Sequence, residues 1–462
     1  MQKPELFFDL GSLVMEFGNT GLPEELSEFF IWDSRTKQWR CEAYSYRSVI
    51  LSCRKSGFEI LDCARKYEKL NLVKKNSITP RTHQKLALEK WIENGSKGVI
   101  SLPTGAGKTI LAMMAISSVS RPTLVVVPTI DLLYQWNEVA RNFFDVEVGL
   151  LGGGNKEIKE ITISTYDSAS IFIESLGNRF GFIIFDECHH LPAPNYQLIA
   201  RAALAPFRMG LSATPERSDG KEEIIYRLLG ELVYVAQIRE MTSDILSPYD
   251  VVNIQVPMSD EEYGLYREAR ETYVAFLRRN RISFAKGMDW IEFVKKASYC
   301  PGGREAMKAY RDQKRLAQSS KSKLQEIWRI LLEHRGERTI IFTDDNALAY
   351  NIGSEFILPV LTHKTKDCER KYLISAFRNG EIEVLVTSKV LNEGVDVPEA
   401  AVGIVVSGSG AVREHVQRLG RILRHRAEKR AILYEIVSKN TSELYVNSRR
   451  RKHNAYEGST QI

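Results

Sequence analysis

Two short strings, Leu102-Pro103-Thr104-Gly105-Ala106-Gly107-Lys108-Thr109 and Asp186-Glu187-Cys188-His189, carry side chains suited to a nucleoside triphosphate. In the first, a glycine-rich turn can aim backbone N–H groups at phosphate oxygens. The Lys108 ammonium can reach the terminal phosphates, and the Thr109 hydroxyl can ligate Mg2+. In the second, Asp186 offers a carboxylate to the same Mg2+, and Glu187 is placed to orient or deprotonate an attacking water. His189, directly after the acidic pair, is a candidate for a place beside the γ-phosphate. The usual loop pattern has glycine where this chain has Leu102, so the match is to a shortened form. An accidental glycine turn is the competing reading. It is weakened by the strand-like run at 97–101, the helical run at 110–119 and the apolar Phe182-Ile183-Ile184-Phe185 that leads into Asp186.

The elements that must position these groups follow from the pattern of apolar runs. From 76 to 238, strand-like segments (99–102, 124–127, 161–164, 182–185, 209–212) alternate with helical ones. That alternation predicts parallel βαβ units covered on both faces. A second set begins at 251–256 and resumes at 339–342, 384–386 and 402–406, which gives a domain over 239–455 and a tail at 456–462. Between its first two strands, 260–320 reads as a helical insertion rich in aromatics. Residues 1–75 read as a small α+β domain, with strand-like runs at Phe7-Phe8, 13–17 and 46–51 and a basic helical end over 61–75.

Composition narrows the function classes. At 462 residues, with 44% hydrophobic and 26% charged residues, the chain is a multidomain globular protein. No stretch approaches the roughly 20 uncharged apolar residues of a membrane span, and the first residues lack a signal peptide's apolar core, so a soluble, intracellular protein is expected. Six scattered cysteines without a Cys-x-x-Cys pair argue against a zinc or iron–sulfur centre and against structural disulfides. Residues 259–323 hold 15 Lys and Arg against 9 Asp and Glu, a surplus equal to the +6 of the whole chain. The basic excess there, including Arg278, Arg279, Lys295 and Lys296, suits sequence-independent contact with phosphates. Its aromatics are more often packing residues than base-stacking ones.

Two further strings fit the same chemistry. Ser212-Ala213-Thr214 closes a strand-like run, from where small hydroxyls could sense the carboxylates. In Gln417-Arg418-Leu419-Gly420-Arg421-Ile422-Leu423-Arg424, Arg421 and Arg424 share one face if helical and could meet a triphosphate's developing charge.

The order of these strings resembles the motif series of superfamily 2 helicases and translocases over about 80–430: Gln84, 102–109, Val127-Pro128-Thr129, Ser164-Thr165-Tyr166, 186–189, 212–214, Thr343-Asp344, Thr387 through Gly394-Val395-Asp396, and 417–424. Asp186-Glu187-Cys188-His189-His190-Leu191-Pro192-Ala193 followed by Phe207-Arg208 is similar to the XPB branch of DNA repair helicases, in an archaeal-type form. The resemblance implies two RecA-like parallel-sheet domains in tandem. ATP and Mg2+ would be held by Gln84, Thr104, Gly105, Ala106, Gly107, Lys108 and Thr109 of the first, with Gly394, Asp396, Gln417, Arg421 and Arg424 of the second. It also implies 3′-5′ DNA opening or translocation in nucleotide excision repair, on duplex and single-stranded DNA. An N-terminal damage-recognition domain and a thumb-like insertion would complete the chain, which is expected as a cytoplasmic, nucleoid-associated monomer of an archaeal or bacterial cell, with a nuclease partner. The family's strand-parting Arg-Glu-Asp element reads Arg217-Ser218-Asp219 here, so the middle acid is missing. An RNA helicase and a non-catalytic nucleotide-gated module are the alternatives. The first lacks its usual strings here, and the second would have little need of the full set of charged residues.

Overall fold

Strands such as Thr-Leu-Val-Val-Val at 123–127 are apolar without alternation, which suits the interior of a parallel sheet covered on both faces. The structure, a computed structural model, describes residues 3–17, 22–75, 79–103, 105–213, 215, 220–236, 249–282, 289–388, 400–407 and 431–444. The chain divides into two units, Met1–Ala236 and Gln237–Ile462.

The first unit opens with β1 (Glu5–Asp9), β2 (Ser12–Glu16), β3 (Ile31–Asp33), β4 (Gln38–Glu42), α1 (Tyr46–Ser56) and β5 (Leu61–Asp62), its sheet ordered β3-β4-β2-β1-β5. Two expectations are corrected here. Residues 46–51 form helix, not strand, because Tyr46, Val49 and Cys53 bury one face at helical spacing. Gly57, at φ 72°, then closes α1 with the Phe58 N–H bonded to the Cys53 carbonyl. Residues 61–75 begin as a short strand and carry no helix. Their backbone pairs instead with the neighbouring lobe: Lys66 N–H to Asn178 O, Leu70 N–H to Ser120 O and Lys75 N–H to Phe143 O, at 2.9–3.0 Å. The core of the small sheet is closed by Leu204 of that lobe.

The lobe comprises α2 (Thr82–Glu93), β6 (Lys97–Ser101), α3 (Lys108–Val119), β7 (Thr123–Val127), α4 (Ile130–Phe143), β8 (Val148–Gly152), β9 (Asn155–Lys156), β10 (Ile161–Thr165), α5 (Tyr166–Leu176), β11 (Phe182–Asp186), α6 (Pro194–Ala202), β12 (Phe207–Ser212), α7 (Glu222–Leu229) and β13 (Leu232–Val235). Among the described residues the sheet runs β13-β6-β12-β11-β7-β10-β8-β9, parallel except for β8–β9. Thus β12 separates β6 from β11, and the loops after β6 and β11 open at the carboxyl-terminal edge, where open α/β sheets hold ligands.

In the second unit, β14 (Tyr249–Val256) is followed by α8 (Asp260–Arg279), α9 (Asp289–Tyr299), α10 (Gly303–Gln318), α11 (Lys321–Glu333), β15 (Thr339–Phe342), α12 (Asn346–Phe356), β16 (Val360–Leu361), α13 (Asp367–Asn379), β17 (Val384–Thr387), β18 (Val402–Val405) and β19 (Ala431–Ser438). The order β14-β19-β18-β15-β17-β16 is parallel throughout. The expected tandem of parallel-sheet domains is therefore what the chain forms. Helices α8, α9 and α10 close their own core through Tyr273, Phe276, Phe293, Ala306 and Ala309. Among the described residues no helix is long and apolar enough to cross a membrane.

Arg208 of β12 holds the back of the first lobe together. It is 2% exposed, and its guanidinium donates to the carbonyls of Ala205 (3.0 Å), Ala200 (2.8 Å), Leu228 (3.2 Å) and Ala203 (2.7 Å). These carbonyls include the last turns of α6 and α7, whose partial negative charge favours a cation. Burial pushes the guanidinium down to about 10, so it stays charged at neutral pH. Arg208→Ala should lower the unfolding free energy by about 2–6 kcal/mol, since at least two buried carbonyls would lose their donor at ~1–3 kcal/mol each. Urea titration measures this, and a loss below about 1 kcal/mol would mean that the carbonyls find other partners.

Candidate active site

The loop after β6 turns into α3 through two residues in the left-handed region, Gly105 (φ 85°) and Gly107 (φ 83°). At Gly107 a Cβ would also meet Gln84 Nε2 at 2.3 Å, so glycine is required twice over. Gln84 is buried under the loop, its amide nitrogen donating to Gly107 O (3.2 Å) and Ala106 O (3.4 Å) and its Oε1 accepting from Arg81 N–H (3.0 Å). His83 Nε2 lies 2.8 Å from the same Ala106 carbonyl, and burial lowers that imidazole. The first turn of α3, with Lys108 and Thr109, therefore stands behind a braced loop, and its N–H groups make that edge receptive to anions.

Asp186 ends β11 level with Leu211 of β12, while Ser101 at the end of β6 is level with Ser212. The Lys108 ammonium reaches across β12 to Glu187 Oε1 at 2.8 Å, with both side chains 11% exposed. Glu187 is a non-glycine residue in the left-handed region (φ 46°), a conformation that costs ~1–2 kcal/mol. There the chain leaves β11 for the single turn at 188–190. His189 Nδ1 lies 3.4 Å from Glu187 Oε2 and 3.2 Å from Ser212 Oγ, so Lys108, Glu187, His189 and Ser212 form one line across three strand ends.

Burial pushes the Asp186 carboxyl up to about 6, partly offset by the Lys108 ammonium. Burial alone would lower Lys108, but the Glu187 and Asp186 carboxylates beside it hold its ammonium above the ordinary lysine value. Asp186 Oδ2 accepts from the Trp136 indole N–H at 2.9 Å, Oδ1 accepts from Glu187 N–H at 3.0 Å, and the Asp186 carbonyl accepts from the Tyr166 hydroxyl at 3.1 Å. Trp136 and His83 carry no signal as functional residues in the sequence, and Tyr166 enters it only as the last residue of the Ser164-Thr165-Tyr166 string, with no role assigned. Trp136 lies on the buried face of α4 with Leu133, Ala140 and Phe143, a spacing that reads as core.

The structure thus brings together Gln84, Gly105, Ala106, Gly107, Lys108, Thr109, Asp186, Glu187 and His189 in one unit. Thr104, Thr214, Arg217, Ser218, Asp219, Gly394, Asp396, Gln417, Arg421 and Arg424 lie outside the described residues. In the second unit Arg278, Arg279 and Lys295 are exposed. Lys296 is committed to the fold, donating to Asn280 O (2.8 Å) at the end of α8 and pairing with Glu292 (2.7 Å). Of the insertion's aromatics, Tyr266, Tyr273, Phe276 and Phe293 are buried while Trp290 and Tyr299 are exposed. Just after β15, Asp344 pairs with Lys314 of α10 and its N–H donates to Ser407 Oγ (2.9 Å).

A parallel sheet that sets a glycine-rich loop, its lysine and an acidic strand end on one edge defines a RecA-like phosphate-loop domain. Residues 6–64 match the family described as Xeroderma pigmentosum group B helicase damage recognition domain, 77–217 match Type III restriction enzyme, res subunit, and 303–459 match ERCC3/RAD25/XPB C-terminal helicase. The chain is 38% identical to the DNA 3'-5' translocase XPB2 of Sulfurisphaera tokodaii over 91% of its own length and 95% of that protein's. It is 32% identical to the DNA 3'-5' helicase XPB of Mycobacterium tuberculosis over 82% of this chain, spanning 64% of that longer relative. Among solved structures, the Pyrococcus furiosus Hef helicase domain covers 80% of this chain and 98% of its own (TM-score 0.50, 19% identity). Saccharomyces cerevisiae Dbp5 bound to RNA and ADP BeF3 covers 83% of this chain and 90% of its own (TM-score 0.57, 14% identity), and both likenesses bear on fold alone. The chain belongs to the XPB family of superfamily 2 helicases.

The raised carboxyl of Asp186 has a consequence for stability without ligand. Protonation is easier in the folded than in the unfolded chain, so this group opposes folding increasingly as pH rises from about 4 through about 6. Asp186→Asn should therefore gain on the wild type between pH 5 and pH 7.5, as read from urea midpoints. An equal gap at both pH values would remove the burial cost from Asp186.

Proposed function

We infer that this chain is an ATP-driven motor that opens or moves along DNA with 3′-5′ polarity in nucleotide excision repair. The observation that carries the reading is the buried Lys108–Glu187 pair beside Asp186, at the foot of a glycine loop and a helix N-terminus. Such a cluster has the donor set for a triphosphate and a divalent cation: N–H groups and an ammonium for phosphate oxygens, and the Thr109 hydroxyl and Asp186 carboxylate for Mg2+. Mg2+, when bound, would neutralise charge on the phosphates. Lys108, now paired with Glu187, would turn to the phosphates and release that carboxylate to hold the attacking water. His189 and Ser212 would pass the change at Glu187 to β12 and the residues beyond it. Arg421 and Arg424 of the second unit would meet the developing charge, with Gly394, Asp396 and Gln417 completing the nucleotide site.

DNA, duplex and single-stranded, is the proposed substrate. The fit to the damage-recognition family over 6–64 supports a repair role. Arg217 and Asp219 are assigned to strand parting, and Ser218 between them favours a second reading, a motor that tracks duplex without separating strands. A nuclease partner, a monomeric state and a place in the cytoplasm by the nucleoid are part of the same proposal.

Steady-state ATP hydrolysis with no polynucleotide, single-stranded DNA, duplex DNA or RNA, at one salt concentration, tests the substrate class. Stimulation by DNA and not RNA is expected, and equal rates under all conditions would remove nucleic acid as the trigger. Lys108→Ala should abolish turnover, and Glu187→Gln should keep ATP binding while lowering hydrolysis at least about 100-fold. Normal turnover in either would sink the site assignment. Removing Arg278, Arg279 and Lys295 together should flatten the slope of log affinity for duplex DNA against log salt by about 2–3. An unchanged slope returns the insertion to a structural role.

A further inference from the structure

Asp186, whose carboxylate is assigned to Mg2+, is held by two side-chain donors that the motor reading does not use, one on the carboxylate and one on the main-chain carbonyl. Trp136 is completely buried, and its indole N–H ends on Asp186 Oδ2 at 2.9 Å. Tyr166, 2% exposed, ends on the Asp186 carbonyl at 3.1 Å, its ring packed against Phe185, His190 and Tyr196 with centroids 5.0–6.1 Å apart. A core tryptophan needs only some acceptor for its N–H. Here that acceptor is a charged oxygen, which makes the bond stronger than a neutral one and fixes the carboxylate's rotation. With Oδ1 accepting from Glu187 N–H, each carboxylate oxygen has its own donor and its rotation is set, while Tyr166 fixes the main chain behind it.

The two donors arrive by similar routes. Thr129, two residues past β7, and Thr165, the last residue of β10, are N-caps that accept from Leu132 N–H and Ser168 N–H at 3.3 Å and so start α4 and α5 at the sheet's open edge. One turn and three residues into α4, Trp136 faces back toward β11. Tyr166 is the first residue of α5. Both helices are therefore tied to the end of β11 by a buried hydrogen bond.

We propose that Trp136 and Tyr166 are positioning residues for Asp186, Trp136 fixing the carboxylate's rotation and Tyr166 the main chain that carries it, in the orientation that accepts Mg2+ with bound nucleotide. The inference rests on the ATP·Mg2+ reading of this site. Residues that orient a metal ligand from behind are worth about 10–100-fold in metal affinity. They also make metal binding sensitive to any shift of α4 or α5, because a displaced helix carries its donor off Asp186.

The test measures binding of the fluorescent nucleotide mant-ADP by the full chain with and without Mg2+, in the wild type, Trp136→Phe and Tyr166→Phe. Each variant keeps an aromatic ring and loses one donor. The readout is the ratio of the two affinities, to which a general loss of packing contributes equally in numerator and denominator. The wild type should gain affinity on adding Mg2+, and Trp136→Phe should lose about tenfold or more of that gain, with a smaller loss for Tyr166→Phe, whose bond is to the main chain. Half-saturating Mg2+ for ATP hydrolysis should rise in parallel. An undiminished ratio in both variants overturns the inference while leaving the nucleotide site standing. Equal weakening with and without Mg2+ overturns it too, since that is damage to the loop. A wild type that gains nothing from Mg2+ removes the site reading itself and the inference with it.

Discussion

Everything at the functional edge depends on burying an ammonium and two carboxylates together. Lys108, Glu187 and Asp186 come from strand ends separated by β12, and each would be costly to bury alone. Together they offset one another: the carboxylates keep Lys108 charged, and Lys108 limits how far burial raises Asp186. The arrangement is stable only while the loop holds Lys108 over β12, which explains the bracing of that loop by Gln84 and His83 from α2. It also explains a strained Glu187, whose left-handed backbone is maintained because its carboxylate has the lysine and the histidine to meet.

The same charges explain why the site can respond to a ligand. An ion pair at 2.8 Å that is 11% exposed on each side is protected enough to persist, yet lies at the mouth of a loop built for anions. On the proposed function, a phosphate competing for Lys108 would free Glu187, and Glu187 touches His189, which touches Ser212 at the end of β12. On that reading, binding at the loop would thereby be coupled to the carboxyl-terminal end of β12. The coupling needs no movement of the sheet, only a change of partner along a line of polar side chains.

The first lobe is tied together away from the site. Arg208 ties α6 and α7 to β12 from behind, and the extended residues 61–75 lie along the lobe by main-chain bonds, so the small N-terminal sheet moves with it. In the second unit the basic insertion is its own packed helical cluster, joined to the sheet by the Lys314–Asp344 pair and by Tyr266, whose hydroxyl accepts from Ser442 N–H. Arg278, Arg279 and Lys295 are among the cations exposed on it, whereas Lys296 is tied to the main chain at the end of α8.

The sequence by itself determined what is local. Continuous apolar runs ending in Ser101, Ser164 and Asp186 specify buried parallel strands, because only such strands are apolar on both faces. Gly105 and Gly107 specify the turn, because other residues resist its backbone angles. Motif order was enough to identify the family. Tertiary structure decided what depends on partners distant in the chain. The run 46–51 is helical because its buried face forms against the small sheet, overriding the strand tendency of Val49-Ile50. Residues 61–75 are extended because their N–H groups find carbonyls on another lobe, which no local pattern records. Strand β8 is interrupted by glycine, the edge strand β9 is only Asn155-Lys156 and the edge strand β13 has four residues, so their apolar signal is faint. Trp136 looked like core and is core. Only the packing of α4 against β11 shows that its one polar atom ends on Asp186, since a hydrogen-bond partner fifty residues away is fixed by the fold and not by spacing.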